Sequence, residues 1–268
     1  MDALDNCVWR ALTGAQASMS EGSGEARRYL PSISAFAAFP DDVTPSAWAE
    51  LATLMGPDEV AIVFRADVGP LPEGFTEVLR LPGEQMIGPP PGTPRPTASP
   101  PPAGSPRPTG SSRPVGTPRP VGSPSPAGSP HPAGPDVEVL TLSASDVPDM
   151  VDLVTLTQPG PFEARTIELG TYLGVREGGR LIAMAGERMH FEGHTEISAV
   201  CTHPDHQGQG LAGLLVDCLV TDINARGEVA FLHAASTNTT AISRYQSLGF
   251  TIRRQVEAVA FTVNPPPP

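Results

Sequence analysis

The segment that decides the fold is AVCTHPDHQGQGLAGLLVDCLV, Ala199 to Val220. A run ending in Thr202 breaks at Pro204, passes through Gly208-Gln209-Gly210, and continues as an amphipathic series. Leu211, Leu214, Leu215, Cys218, Leu219 and Ile223 recur at helical spacing, so a helix is expected to begin near Gln209. Upstream, TEISAVCT is rich in β-branched and small residues and reads as a strand. A glycine-rich strand-to-helix junction leaves backbone N–H groups without partners at the helix start, and the missing side chains let a bulky anion approach. The junction is thus a candidate anion holder, against the alternative that the glycines only turn the chain. It is not the nucleoside-triphosphate loop, because no Lys-Ser or Lys-Thr pair follows, and the three-glycine dinucleotide fingerprint is absent.

Working outward, residues 136–264 alternate between strand and helix signals. VEVLTL reads as a strand, DVPDMVDLVTLT as a helix and PFEARTIELG as a short helix. TYLGVREGGRLIAMAGERMHF reads as a hairpin turning at Gly178-Gly179. After the opening segment come the strand VAFLHAA, the helix TTAISRYQSLG and the strand FTIRRQVEAVAFTV. The expected class is α/β, with one sheet part parallel and part antiparallel, flanked by helices.

Residues 89–135 hold 18 of the 33 prolines, four arginines, no acid and almost no large apolar side chain. Such a stretch cannot bury enough surface to offset the entropy of ordering, so it is expected to be a disordered linker; a Pro-x-x-Pro recognition ligand is the second reading. Residues 1–88 are expected to form a small α/β module. ALDNCVWRALTG and TPSAWAELATLMG read as helices, the latter capped by Thr44 with Pro45 at its first position. EVAIVFRA and FTEVLRL read as strands, and the module's length favours docking on the C-terminal part. A proline tail, 265–268, closes the chain.

The 17 basic residues, all arginine, face 29 acidic ones, and a net charge of -12 argues against broad nucleic-acid binding. It leaves room for a cationic substrate. Cys7, Cys201 and Cys218 are odd in number and far apart, so neither a disulfide framework nor a zinc knuckle is expected. The start MDALDNCVWR lacks a signal-peptide core and no segment is long and apolar enough to span a bilayer, so a soluble cytoplasmic protein is expected. The lack of lysine beside abundant proline and glycine points to a GC-rich bacterial genome.

The order of elements, the run Gln207, Gly208, Gln209, Gly210, Leu211, Ala212, and a second block of Asn238, Ala241, Tyr245 and Leu248 to Phe250 together resemble the GCN5-related N-acetyltransferases (GNAT), most closely their FR47-like subgroup. The resemblance covers about residues 137–263, and the N-terminal module is similar to a degenerate half of such a fold. It implies acetyl-CoA as donor, with its pyrophosphate on the N–H groups of Gln207 to Ala212, its arm paired with the backbone of Val200 and Thr202, and Asn238 in the second block. It implies the Val200 N–H as oxyanion donor, Glu196 as general base and Tyr245 as general acid to the CoA sulfur. For Glu196 the alternative is a solvated carboxylate at the strand end, and for Tyr245 a packed aromatic beside Phe250. Arg244 stands where the family has an apolar residue; it either tilts the helix face or reaches the donor's phosphates. PGPFEART, Pro159 to Thr166, is expected to form part of the acceptor wall, with Phe162 and Arg165 the residues that set substrate choice. His203, Asp205 and His206 have metal-ligand side chains but sit in a loop around Pro204, and no metal is expected.

The expected activity is transfer of an acetyl group from acetyl-CoA to an amine of a small molecule or a protein. The alternative is a non-catalytic acyl-CoA-binding module tethered to a partner through the Pro-rich segment. The acceptor and the oligomeric state, with a homodimer among the candidates, stay open at this level.

Overall fold

The computed structural model describes residues 2–92 and 137–264. Most of the Pro-rich segment expected at 89–135, and the 265–268 tail, lie outside the described residues.

The N-terminal half begins with helix α1 (Cys7–Thr13) and the antiparallel strands β1 (Ser20–Glu21), β2 (Arg27–Tyr29) and β3 (Phe36–Ala38). Helix α2 (Pro45–Leu54) then crosses to β4 (Ala61–Arg65), which lies parallel to β3. Thr44 Oγ1 accepts from the Ala47 N–H at 3.1 Å, and Pro45 opens the helix where a missing N–H is harmless. Strand β5 (Phe75–Ile87) completes this half.

The C-terminal half repeats this order with two additions, a strand before its first helix and a helix before its last strand. Strand β6 (Leu140–Thr141) and helix α3 (Val147–Thr157) precede the antiparallel run β7 (Tyr172–Glu177), β8 (Arg180–Phe191) and β9 (His194–Thr202). The β7–β8 turn falls at Gly178 and Gly179, both at positive φ, which a two-residue hairpin turn requires. Helix α4 (Leu211–Ala225) crosses to β10 (Val229–Ala235), parallel to β9, and helix α5 (Thr239–Ser247) leads into β11 (Thr251–Val263). PFEARTIELG carries only a 3-10 turn, Thr166–Leu169, and of VEVLTL only Leu140–Thr141 pairs in the sheet.

The eleven strands of the described residues form one mixed sheet in the order β1-β2-β3-β4-β11-β5-β10-β9-β8-β7-β6. The two halves exchange their last strands: β11 pairs with β4, while β5 pairs with β10. β5 and β11 then pair with each other along most of their length, so the halves share one continuous sheet. Helix α4 buries Leu211, Leu215, Leu219 and Ile223 against the sheet together with Met86, Ile197, Leu232 and Phe250. Separate apolar clusters lie under α1, α2 and α3, and the three cysteines are buried, none of them in a disulfide.

Candidate active site

β9 and β10 stay in parallel register from His194 with Val229 to Ile197 with Leu232, then part. Beyond that point β9 keeps β8 as neighbour and β10 keeps β5, so their facing edges are open to one another. A wedge with exposed backbone donors and acceptors results, suited to an extended chain carrying amide groups. On the β9 side the register slips opposite Met184 and Gly186, and Ala199 takes φ 52. A left-handed alanine inside a strand is strained, and the bulge turns the local N–H groups out of the ladder.

At the outer end of the wedge, Gly208 and Gly210 both have positive φ, and a Cβ at either would meet nothing within 4 Å. Gly210 is the N-cap of α4 and supplies no side-chain cap, which leaves the first-turn N–H groups of the helix without that acceptor. The helix starts at Leu211, two residues after the expected point, because Gly210 is left-handed. Gln209 is exposed in this loop and Gln207 lines the wedge. A Cβ built on Gly213 would land on the Arg244 guanidinium, which lies across the first turn of α4.

A cavity of about 740 Å³ runs from the wedge across the sheet face. Val200, Thr202, Gln207, Asn238 and Tyr245 all line it, so residues from β9, the loop and α5 converge there. Asn238 caps α5, its Oδ1 accepting from the Ala241 N–H at 3.1 Å. Tyr245 packs near Phe250, ring centroids 6.0 Å apart, and burial pushes its phenol up to about 12, so it holds its proton at neutral pH.

Glu196 is fully buried, neither a solvated strand-end group nor an open carboxylate. Its oxygens accept from Arg188 Nε at 2.7 Å and Nη2 at 2.6 Å, and from His233 Nδ1 at 2.6 Å. Burial alone would raise its pKa; the Arg188 charge and the three hydrogen bonds outweigh this and hold it down to about 2. The Arg253 Nη1 donates to Gln85 Oε1, which turns Gln85 Nε2 toward His233 Nε2 at 3.1 Å. His233 therefore accepts at Nε2 and gives its Nδ1 proton to Glu196, a neutral ring whose pKa burial lowers.

Phe162 and Arg165 lie outside the cavity lining. Phe162 packs edge-on against Tyr172, and Arg165 pairs with Glu168 and reaches Ser32; of the Pro159 to Thr166 stretch, Pro159, Gly160 and Pro161 line the cavity, together with Gln158. His203, Asp205 and His206 are used locally: His203 Nδ1 accepts from the Asp205 N–H, and His206 hydrogen-bonds Glu177. Among the described residues no group of three metal-ligating side chains gathers. Arg188, His233 and Gln85 escape sequence reading, although an arginine inside the apolar strand of GERMHF is the one visible signal for the first.

A mixed sheet that parts between its central parallel strands, with a glycine-rich helix start at the mouth, defines an acyltransferase fold. The chain belongs to the GNAT family: it is 32% identical to a GNAT-family protein from Novosphingobium aromaticivorans DSM 12444, over 99% of this chain and 100% of that one, with a TM-score of 0.77 to its crystal structure. Residues 172–259 match the FR47-like protein family. A segment of 103 residues, 37% of this chain, is 35% identical to the L-amino acid N-acyltransferase MnaT of Escherichia coli (strain K12) and spans 60% of that protein's length. The fold is shared with a GCN5-related N-acetyltransferase from Kribbella flavida, at 16% identity, TM-score 0.53, over 97% of this chain and 94% of that one. Among the described residues no helix is long and apolar enough to cross a membrane.

Proposed function

We propose that the protein transfers an acetyl group from acetyl-CoA to the amine of a small molecule. The observation that carries this reading is the wedge: open β9 and β10 edges share one cavity with Gln207 of the glycine-rich turn and with the half-buried Tyr245. The pyrophosphate of CoA fits the N–H groups of the Gly208 to Ala212 turn, where the helix dipole favours an anion. The pantetheine amides pair along Val200 and Thr202 like an added strand. The N-acyltransferase named above, which acts on L-amino acids, supports a small-molecule acceptor.

In this reading the amine nitrogen attacks the thioester carbonyl carbon, the carbonyl oxygen gains charge near the bulge, and the Val200 N–H stabilises it. The C–S bond then breaks, the thiolate takes the Tyr245 proton, and the new amide releases its extra proton to water. Glu196 enters as the anchor of Arg188 and His233 rather than as the base: a carboxyl held near 2, with its oxygens engaged by Arg188 and His233, is a poor proton acceptor. In this reading the N-terminal half is a degenerate copy, and its equivalent opening between β3 and β4 is bridged by an arginine. Arg65 donates to the Pro40 and Asp41 carbonyls there, and Thr44 caps the helix that glycines leave open in the other half.

The test is thiol release from acetyl-CoA over a panel of small amines, alongside thermal shift with CoA. Saturating CoA that leaves the melting curve unmoved defeats the donor assignment, and binding without turnover of any amine favours the non-catalytic acyl-CoA module.

A further inference from the structure

The cavity continues past the wedge onto strands that the transfer chemistry does not use. Across β3, β4, β11 and β5 the pairing sets Phe36 beside Ile62, Ile62 beside Ala260, and Ala260 beside Leu79. One step along, Phe64 stands beside Ala258 and Ala258 beside Leu81. Cross-strand partners share a face, and residues two apart on a strand do too, so both rows project to the same side of the sheet. All seven line the cavity. The small residues fall on the middle strand, β11, between large ones on β4 and β5, so the surface is an apolar trough.

We infer that this trough holds the body of the acceptor, and that the acceptor is a small amine with an apolar body and no second cationic group. The inference rests on the donor reading above. The trough is continuous with the wedge in one cavity, which places an amine lying in it beside the thioester. Its rim is apolar yet wet: Leu79 and Leu81 are 48% and 44% exposed, and covering such surface is favourable. Charge decides the rest. Among the described residues Arg188 is the one charged side chain lining the cavity, and Glu196 already neutralises it. An ammonium entering finds no carboxylate, so desolvation favours the neutral amine, the form that attacks. A second ammonium along the body would be buried without a partner. The overall charge of -12 draws cations toward the molecule, but the lining does not hold them.

Pentylamine and 1,5-diaminopentane have the same chain and differ by one cationic group, so they are the probes. With the full chain and acetyl-CoA at one alkaline pH, kcat/KM for pentylamine should exceed that for the diamine by roughly tenfold or more. Ala258→Phe fills the trough floor and should raise the KM for pentylamine about tenfold while the CoA thermal shift stays as in wild type. Should that variant fail to fold, Leu81→Glu at the exposed rim supplies the missing carboxylate and should move preference toward the diamine. Equal or better use of the diamine by wild type, or CoA binding with no turnover of pentylamine, overturns the acceptor class alone. Failure to bind CoA overturns the donor reading and this inference with it.

Discussion

Arg188 and Glu196 face each other across β8 and β9 as a bidentate pair, both guanidinium contacts within 2.7 Å, and His233 of β10 closes on the same carboxylate. The pair sits at the root of the wedge, one residue before β9 and β10 lose register. Removing one partner of a buried ion pair strands the other charge in a poor solvent. Glu196→Gln should therefore destabilise the fold by about 3–5 kcal/mol, read by chemical denaturation. An unchanged midpoint would show that water reaches Arg188. If turnover of the folded variant is restored simply by raising the pH, the carboxylate acts as a base after all.

Acid should lower the stability of the fold over two pH windows. His233 is held neutral by burial below its ordinary 6.5, so the unfolded chain takes up that proton first and stability falls as pH drops below that value. Glu196 is lowered from 4.5 to about 2, so its contribution is full above 4.5 and is lost as pH falls through that window. Both terms have the same sign. A melting temperature that rises on acidification from neutrality would contradict the buried cluster.

Gly210→Glu tests the helix start. The substitution puts a side chain and a negative charge where the pyrophosphate is assigned, on a residue whose φ of 83 already disfavours it. Wild type at 100 times the CoA dissociation constant should gain about 2.7 kcal/mol, and the variant should show no such shift above its own lower baseline. A retained shift would move the phosphates elsewhere.

Tyr245→Phe keeps the ring against Phe250 and removes only the proton that burial retains. Turnover should fall roughly 10²- to 10⁴-fold with CoA affinity nearly constant. Full turnover, when chemistry limits the rate, would assign the proton to water.

Gly213 lies inside α4 with an ordinary helical φ, and the atoms its missing Cβ would strike are the mobile end of Arg244. Gly213→Ala should therefore raise stability by up to about 1 kcal/mol as the guanidinium swings aside. A weaker CoA thermal shift in the same variant would show that Arg244 had been reaching the donor. A fall in stability would show that the arginine cannot move.

The elements that frame the candidate site are legible in the sequence because their signals are local. The helix after Gly210, the strand before Pro204, the Gly178-Gly179 turn and the Thr44 cap each depend on residues within one or two turns of chain. Tyr245 and Asn238 reach the cavity because one short helix carries both. Phe162 and Arg165 stay out of the cavity because Phe162 finds Tyr172 and Arg165 finds Glu168 and Ser32, partners that local sequence does not reveal.

The amino-acid sequence by itself determined the alternation of strands and helices, the glycine opening of α4 and the residues set at the wedge mouth, since periodicity and turn chemistry act over short range. Only the tertiary structure decided that β5 and β11 change places between the halves, because open strand edges are paired by whichever partner closes the sheet. That exchange brings Leu81 beside Ala258, Gln85 beside His233, and Phe36 and Phe64 into the lining of the same cavity. The same is true of Glu196. Whether its carboxylate is wet or locked depends on Arg188 and His233 arriving from two other strands, and a buried charge takes its character from partners that a one-dimensional reading does not place.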